Sequence, residues 1–306
     1  MLKKSISFHR QYMAYSGGHQ KVCDYIQHTI DSGLLSPTLY LTNSSPVQKQ
    51  LFNHIHGLEY SPQYSPELAD VVFLAGMDWQ GYQPFFDPKQ VKINLIQGVR
   101  HGDKNHRLFQ FLQHKAIRLC VSEAVKEAIE PYANGPCFTI KMGHDMPKLS
   151  MAKRYDLYIL STKQPQLGQQ LFEWASSIGL RVLMHDKATE RECVHQAMSE
   201  SVVVIALPQK VEGFFLPGIE AIALADWAVV PDCIGSREYS ESRANISRCE
   251  LSFHSCQKTI EHALKKVKGL KFLVSKWHGR RLSYNFSLKQ ERKSYQHILR
   301  DLDKIW

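Results

Sequence analysis

Residues 207–239, LPQKVEGFFLPGIEAIALADWAVVPDCIGSREY, are the stretch that decides how the rest of the chain is interpreted. Two acids in it, Glu212 and Glu220, are separated by seven residues, and Pro217 stands just ahead of the second acid. Because proline lacks an N–H, it suits the first turn of a helix, and the apolar run after it predicts a buried helix over about 217–225. A carboxylate on a buried helix must be hydrogen-bonded or paired. The sequence therefore predicts a helix that holds Glu220 near its start.

The two acids have a structural and a functional interpretation. In the structural one, Glu220 caps its own helix and Glu212 is a solvated loop acid, because short motifs often occur by accident. In the functional one, the dipole and free amides of the helix start favour negative charge, from a side chain or from a bound phosphate. The spacing of the acids alone leaves both interpretations open.

The order of features in the stretch resembles the E-x7-E signature of family 4 glycosyltransferases, which have the GT-B fold. The run EGFFLPGIEA, a small-residue helix, the strand WAVVPD and the glycine turn IGSRE follow one another as in that family. The resemblance implies that Glu212 is catalytic and faces the donor sugar, and that Glu220 accepts hydrogen bonds from ribose hydroxyls. The other donor-binding residues implied in this loop are Gly213, Phe214, Phe215 and Leu216.

Length and composition fit an ordinary two-domain protein. The 306 residues, 43% hydrophobic and 22% charged, suffice for two domains with separate cores. The seven cysteines form no CxxC pair and the fifteen histidines no HExxH pattern, so we expect reduced thiols, no metal and no other cofactor. The sequence shows neither an apolar run of about 18 residues nor a signal-like start. The expected location is the cytoplasm, with a peripheral place at the inner membrane face.

The first half of the chain alternates short apolar strands with helical patterns. Predicted strands cover 5–10, 38–42, 69–76, 91–98, 116–122 and 136–140, and predicted helices cover about 18–32, 103–114 and 122–130. Strands followed by helices imply a parallel sheet covered on both faces. In such a sheet ligands collect at the carboxyl ends of the strands.

Two loops at these strand ends contain further candidate site residues. Gly17 and Gly18 follow the first strand, and in the family a similar pair faces the donor sugar and its phosphates. His19 comes next in the chain. His101, after the fourth strand, stands where related enzymes place a histidine near the sugar. The resemblance thus implies Gly17 and Gly18 as donor-binding, and His19 and His101 as acceptor or sugar contacts; ordinary loops are the alternative.

The second half repeats the strand–helix pattern but departs from the family at one position. Strands are predicted over 155–161, 181–186 and 201–208, and helices over about 166–178, 189–198, 255–267 and 288–302. Aligned by Gly168, the family's phosphate-binding arginine and lysine fall on Thr162 and Leu167, which carry no charge. Lys163 is the nearest donor-binding replacement, and its alternative is a solvent-facing lysine.

These patterns together predict an α/β protein of two Rossmann-like domains that face each other across a cleft, the GT-B architecture. Residues 1–148 form the acceptor-side domain, and residues 149–288 form the nucleotide-sugar donor domain. Residues 289–306 form a C-terminal helix that crosses back to the N-terminal domain. As in GT-B enzymes generally, we expect the ligand between the two domains.

The resemblance implies a glycosyltransferase that moves a hexose from a nucleotide diphosphate sugar to a hydroxyl, with retention at the anomeric carbon. The expected partners are a nucleotide sugar and a glycan or lipid-linked acceptor. A catalytically silent GT-B subunit that binds nucleotide sugar or glycan and supports a partner enzyme is the alternative. A nucleotide-sugar epimerase or a phosphorylase fits the two acids less well.

The net charge of +9 favours an anionic partner of some kind. Ten basic residues and a single acid lie between residues 265 and 293, and this region is either a solvated face or a surface that attracts anionic membrane. No nucleic-acid-binding module accompanies the charge, so nucleic acid is not an expected partner.

Overall fold

The computed structural model describes residues 3–12, 16–42, 51–147, 149, 151–239, 243–269 and 271–306. The chain forms two compact units. The N-terminal unit combines Met1–Met142 with Leu288–Trp306, and the C-terminal unit is Gly143–Ser287. The first division falls a few residues before the boundary predicted after residue 148. Each unit contains one sheet, and every strand pairing in it is parallel, which confirms the predicted α/β class.

The sheet of the N-terminal unit has the strand order β3-β2-β1-β4-β5-β6-β7. Its strands are β1 (Lys4–Arg10), β2 (Leu35–Leu41), β3 (Glu59–Tyr60), β4 (Val71–Ala75), β5 (Val91–Ile96), β6 (Ile117–Cys120) and β7 (Cys137–Thr139). All five residues of β4 are buried, as expected of a strand covered on both faces. Every strand predicted in this half is present, and β3, only two residues long, was too short for a pattern to indicate it.

The helices of the N-terminal unit come from both ends of the chain. They are α1 (Gly17–Ser32), α2 (Asp78–Tyr82) and α3 (Glu123–Ile129), together with α9 (Leu288–Arg300) and α10 (Leu302–Ile305). The predicted return of the C-terminal helix to the N-terminal domain is therefore confirmed.

A buried ion cluster anchors α9 against α1. Glu291 of α9 is 1% exposed, and its Oε2 lies 2.8 Å from Nζ of Lys21 and 3.0 Å from Nε2 of His28. The hydroxyl of Tyr295 adds a 3.3 Å contact with that of Thr29. Removing one partner from such a buried pair typically costs about 3–5 kcal/mol, so this cluster fixes where α9 lies.

The sheet of the C-terminal unit has the order β12-β11-β10-β8-β9. Its strands are β8 (Tyr155–Leu160), β9 (Val182–His185), β10 (Ser201–Ala206), β11 (Trp227–Pro231) and β12 (Ile246–Cys249). Its helices are α4 (Pro165–Ser177), α5 (Arg191–Ser199), α6 (Leu216–Leu224), α7 (Phe253–Lys266) and α8 (Lys271–Tyr284). Helix α6 is buried and has Pro217 in its first turn, as predicted.

One prediction of local structure is wrong, and one helix was not predicted. The helix expected over 103–114 is replaced by a short 3-10 turn at Phe109–Gln113. The guanidinium of buried Arg118 donates to the carbonyls of Phe111, Leu112 and His114, and it thereby holds that segment in its turn. The basic region after α7, for which no helix was predicted, contains the helix α8.

Each sheet has one place where the direction of strand order reverses, and ligands of open α/β sheets bind at such switch points. In the N-terminal unit the reversal lies between β1 and β4, and in the C-terminal unit between β8 and β10. The residues just after these four strands are therefore the ones that the fold places at a ligand-binding edge.

Candidate functional site

The switch point of the C-terminal unit brings Lys163 and Glu212 into contact. Lys163 lies between β8 and α4, and Glu212 lies between β10 and α6. The Lys163 ammonium donates to Oε1 of Glu212 at 2.6 Å, and the backbone amide of Gln209 donates to the same oxygen at 3.1 Å. The Lys163 side chain is 36% exposed and that of Glu212 15%. Glu212 is therefore neither free nor fully solvated: it holds a partly exposed cation at the sheet edge.

Close backbone packing shapes the loop from Gly213 to Leu216. The Tyr239 hydroxyl donates to the carbonyl of Phe215 at 2.8 Å, and a Cβ on Gly218 would overlap that hydroxyl. A Cβ on Gly235, in the glycine turn after β11, would lie 2.7 Å from Cα of Phe214. The glycines at 218 and 235 are thus required because the chain segments approach one another too closely for a side chain.

The same loop presents backbone N–H groups at the start of α6. In the described parts of the chain, the amides of Phe214, Phe215 and Leu216 donate to no acceptor, and those of Phe214 and Phe215 pack against Gly235. The Lys163 ammonium lies 5.3 Å from the centroid of the Phe215 ring. Three of the predicted donor-binding residues and the predicted replacement cation therefore share one edge of the C-terminal sheet. Free amides at a helix start, together with a lysine, suit an anionic group.

Gly168 determines how α4 begins beside this edge. A Cβ at this position would overlap the Cβ of Ser161, the residue directly after β8. Glycine therefore lets the first turn of α4 lie directly on the end of the strand.

Glu220 is buried on α6 and is paired with two residues of α5. Its Oε1 lies 3.0 Å from Nε2 of His195 and 3.1 Å from Nη2 of Arg191. Burial disfavours the charged carboxylate, but the hydrogen bond and charge of His195 and the charge of Arg191 outweigh it. The pKa of Glu220 therefore lies below its ordinary value. The side chain does not cap its own helix; its partners lie on α5.

Arg191 gives this buried carboxylate a connection to solvent. Its side chain is 33% exposed, and its Nη2 also donates to the carbonyl of Asp145 at 2.9 Å. The sequence did not identify either Arg191 or His195, because the two precede Glu220 by a strand and a long loop and form no motif with it. The sequence predicted the helix that carries both residues, α5, but gave no sign that this helix contacts Glu220.

The switch point of the N-terminal unit contains a buried ion pair between Arg10 and Asp78. Arg10 ends β1, and Asp78 begins α2 just after β4. Nη1 of Arg10 lies 2.8 Å from Oδ2 of Asp78 and 3.3 Å from the carbonyl of Ala75. Burial raises the pKa of Asp78 against the opposing effect of Arg10. The sequence analysis named neither residue, since single charges at strand ends carry no pattern.

Arg10 also fixes the state of His19. Its Nε and Nη2 lie 3.3 and 3.0 Å from Nδ1 of His19. Since a guanidinium has no acceptor, Nδ1 must accept, and the ring hydrogen of a neutral imidazole is then on Nε2. Burial and the charge of Arg10 lower the pKa of His19 to about 4, so the ring is neutral at physiological pH. His19 is therefore held as a neutral hydrogen-bond donor through Nε2.

Gly17 and Gly18 form the first turn of α1, which begins one residue earlier than predicted. Ser16 caps the helix by accepting from the amide of His19 at 3.3 Å. A Cβ on Gly17 would meet nothing within 4 Å among the described atoms, so packing does not require glycine there. His101 is 6% exposed, and burial, followed by the charge of Arg100, lowers its pKa to about 3. His101 is thus a neutral residue of the interior of the N-terminal unit.

The predicted site residues consequently form two groups, one at the edge of each sheet. Within the described ranges, no cluster of three His, Cys, Asp or Glu side chains has the arrangement of a metal site. In the same part of the chain, no helix has the length and apolar character to cross a membrane.

Comparisons with known proteins identify the architecture. No family model and no curated protein sequence matches the chain. Its fold matches HepE from Anabaena in complex with UDP-glucose, with a TM-score of 0.73, 12% identity and coverage of 97% of this chain and 100% of the other. Sucrose-phosphate synthase from Thermosynechococcus elongatus matches with a TM-score of 0.73, 10% identity and coverage of 99% and 100%.

A glycosyltransferase from Rickettsia africae ESF-5 matches with a TM-score of 0.70, 11% identity and coverage of 99% of both chains. At such identities the likeness concerns the fold, and the fold is that of GT-B glycosyltransferase structures.

Proposed function

We propose that the protein is a glycosyltransferase of the family 4 type that moves a hexose from a nucleotide diphosphate sugar to a hydroxyl of a glycan or lipid-linked acceptor, with retention. The observation that carries this proposal is the position of Glu212 and Lys163 in contact at the switch point of the C-terminal sheet, beside the free amides before α6. The GT-B fold and the order of features in the E-x7-E stretch both support this proposal.

In this proposal the loop before α6 binds the donor diphosphate. The amides of Phe214, Phe215 and Leu216 and the ammonium of Lys163 stabilise the negative charge that develops on the leaving group. No divalent metal is expected in this proposal, because these donors help to stabilise that charge. Glu212 contacts the donor sugar, and Glu220, oriented by His195 and Arg191, accepts hydrogen bonds from the ribose. The N-terminal unit supplies Gly17, Gly18, His19 and His101 to the sugar or acceptor.

The donor can be identified by thermal unfolding with a panel of nucleotide sugars, because a ligand that binds the native state raises its apparent stability. Since HepE was crystallised with UDP-glucose, UDP-sugars are the first donors to test. A panel in which no nucleotide sugar shifts the unfolding temperature would contradict the proposal.

Two substitutions separate the roles of the acids. Glu212→Ala should lower transfer by at least about 100-fold and leave the fold intact, because it removes a group that acts on the reacting sugar. Glu220→Ala should chiefly weaken nucleotide binding. Product formation by chromatography and nucleotide affinity by calorimetry measure the two effects, and Glu173→Ala, on the surface of α4, is the control. Unchanged turnover in both variants would contradict the assignment.

A catalytically silent subunit is the second candidate, and one specific observation favours it. The positions of the family's phosphate-binding cations are Thr162 and Leu167, and the neighbouring Lys163 is already paired with Glu212. Binding of a nucleotide sugar in calorimetry without any product, across a range of acceptors, would establish that alternative.

A peripheral contact with anionic membrane is also part of this proposal, since the product or the acceptor is expected to be membrane-associated. A cytoplasmic location at the inner membrane face is consistent with it.

A further inference from the structure

The helix α8 has an exposed apolar face that the proposed reaction does not use. Leu273, Val274 and Trp277 are 57%, 60% and 55% exposed, and Tyr284 is 50% exposed. Since a helix turns by about 100° per residue, these four residues and Arg281 fall within an arc of about 100°. We call these five residues the exposed face of α8.

The opposite side of α8 is held tightly against the C-terminal unit. Gly279 is buried, and a Cβ there would overlap Oδ1 of Asn245 and lie 2.9 Å from Cγ2 of Ile222 on α6. Leu282 and Ser283 are buried on this side as well. The ammonium of Lys276 pairs with the carboxylate of Asp226. Helix α8 therefore cannot rotate to hide its apolar residues, and they remain exposed to solvent.

Basic residues lie within the exposed face and next to it. Between Glu261 and Glu291 the sequence contains eight basic residues and no acid. Arg281 lies within the face, with its guanidinium 5.5 Å from the centroid of the Trp277 ring, and Arg280 is exposed beside it. The neighbouring exposed residues Lys268 and Lys271 extend the positive charge toward α7.

This combination favours a particular kind of partner. Exposed apolar side chains on one helix face, with tryptophan among them and basic residues at the borders, are the features by which a helix binds at the surface of a bilayer. The positive charge is complementary to anionic lipid headgroups. Neither feature alone gives stable attachment, but the two signals together do.

We propose that the exposed face of α8 binds the surface of an anionic phospholipid bilayer. Leu273, Val274 and Trp277 enter the headgroup region, while Arg280 and Arg281 contact lipid phosphates. This inference rests on the membrane contact of the proposed function and assigns it to one helix face, and vesicle binding tests it independently of sugar transfer. It also assigns the basic region to a structured surface instead of a flexible tail.

Vesicle co-sedimentation of the full chain tests the proposal. The protein should bind phosphatidylcholine vesicles that contain phosphatidylglycerol, and should bind pure phosphatidylcholine vesicles much more weakly. The double variant Leu273→Ser with Trp277→Ser should bind at least about tenfold more weakly, because the apolar contribution is lost. Ile178→Ser, which changes an apolar residue that is 54% exposed after α4, is the matched control and should bind like the wild type.

A second pair of substitutions tests the electrostatic part. Arg280→Gln with Arg281→Gln should weaken binding at low salt by about fivefold per charge, and should reduce its salt dependence. Circular dichroism melting verifies that both double variants fold, which is expected because the changed side chains are exposed. Tryptophan emission should shift to the blue on vesicle binding in the wild type, and this shift should be smaller in the variant without Trp277.

Several results would overturn the proposal. Binding to neither kind of vesicle would do so, as would equal binding by the wild type and the apolar double variant. If the same substitutions instead abolish self-association in sedimentation velocity, the face is an interface between copies of the chain. Salt-dependent binding to single-stranded RNA with the affinity seen for anionic vesicles would show that the surface merely attracts polyanions.

Discussion

The two switch points of the molecule each contain a cation paired with a carboxylate, and the pairs differ in burial. Arg10 and Asp78 in the N-terminal unit have side chains that are 11% and 7% exposed, and Arg10 also donates to a carbonyl and to His19. In the C-terminal unit, the side chain of Lys163 is 36% exposed, and its hydrogen-bond acceptor is Glu212.

This difference indicates different roles. If the Arg10 guanidinium moved away from its several acceptors, the buried carboxylate of Asp78 would lose its counter-charge. The Arg10–Asp78 pair is therefore a fixed scaffold that orients His19. A lysine on a flexible stem with one acceptor can exchange that acceptor for another anion at little cost. The Lys163–Glu212 pair is therefore suited to open when a diphosphate arrives.

The largest expected effect is on stability, from breaking the buried pair. Asp78→Asn should lower the free energy of unfolding by about 3–5 kcal/mol, because it leaves Arg10 buried without its counter-charge. Urea denaturation measures this loss. Asp156→Asn is the matched control, since Asp156 pairs with Arg181 at the surface and should contribute about 1 kcal/mol or less. Equal losses in the two variants would remove the distinction between a scaffold pair and a surface pair.

The next largest effect is on ligand affinity at the C-terminal switch point. Lys163→Gln should weaken binding of a nucleoside diphosphate by about 10- to 100-fold, the range expected for one charge-assisted contact, and should change stability by less than about 1 kcal/mol. Glu212→Gln should instead strengthen binding of the free diphosphate several-fold, because the competing carboxylate is gone. Calorimetry measures both affinities, and weaker binding by Glu212→Gln would contradict the exchange of partners.

The third effect concerns pH and the state of His19. The pKa of His19 is lowered to about 4 from an ordinary value near 6.5. Between these two pH values His19 is therefore protonated in the unfolded chain but neutral in the native state. Stability should therefore fall as pH decreases from about 6.5 to about 4, and His19→Asn should reduce this slope. Urea midpoints across this pH range measure it, with His297→Asn, an 80% exposed histidine, as control. A slope unchanged by His19→Asn would mean that burial and the charge of Arg10 do not lower the pKa of His19 in the native state.

The sequence was sufficient for the fold wherever local pattern and burial agree. The all-apolar strands and the Pro217 helix were predictable because their hydrophobic runs and turn residues point to one structure. The wrong prediction over 103–114 has a cause outside the segment, since Arg118 on β6 donates to the carbonyls of Phe111 and His114. Helix α8 was missed because its many basic residues interrupt the helical spacing of its apolar residues. That spacing can be recognised only once Gly279 is known to face α6.

The site was partly predictable for a similar reason. Glu212, Glu220 and the loop between them form one continuous motif, so their types and spacing were visible in the sequence. Their partners Lys163, Arg191 and His195 come from other loops and helices and become neighbours only through the strand order. Arg10 and Asp78 carry no motif, and only the sheet topology places them together.

The contact between α9 and α1 determines when the N-terminal unit can be completed during synthesis. The carboxylate of Glu291 reaches Lys21 across a sequence separation of 270 residues, and the entire C-terminal unit lies between them. At about 5–20 residues per second, a ribosome needs roughly 15–50 s to make that interval. During this time the Lys21 ammonium has no Glu291 carboxylate to pair with, and helix α9 does not yet cover the surface of α1. The C-terminal unit is continuous in sequence and is complete before Glu291 is made, so the unit that begins the chain is the last to finish folding.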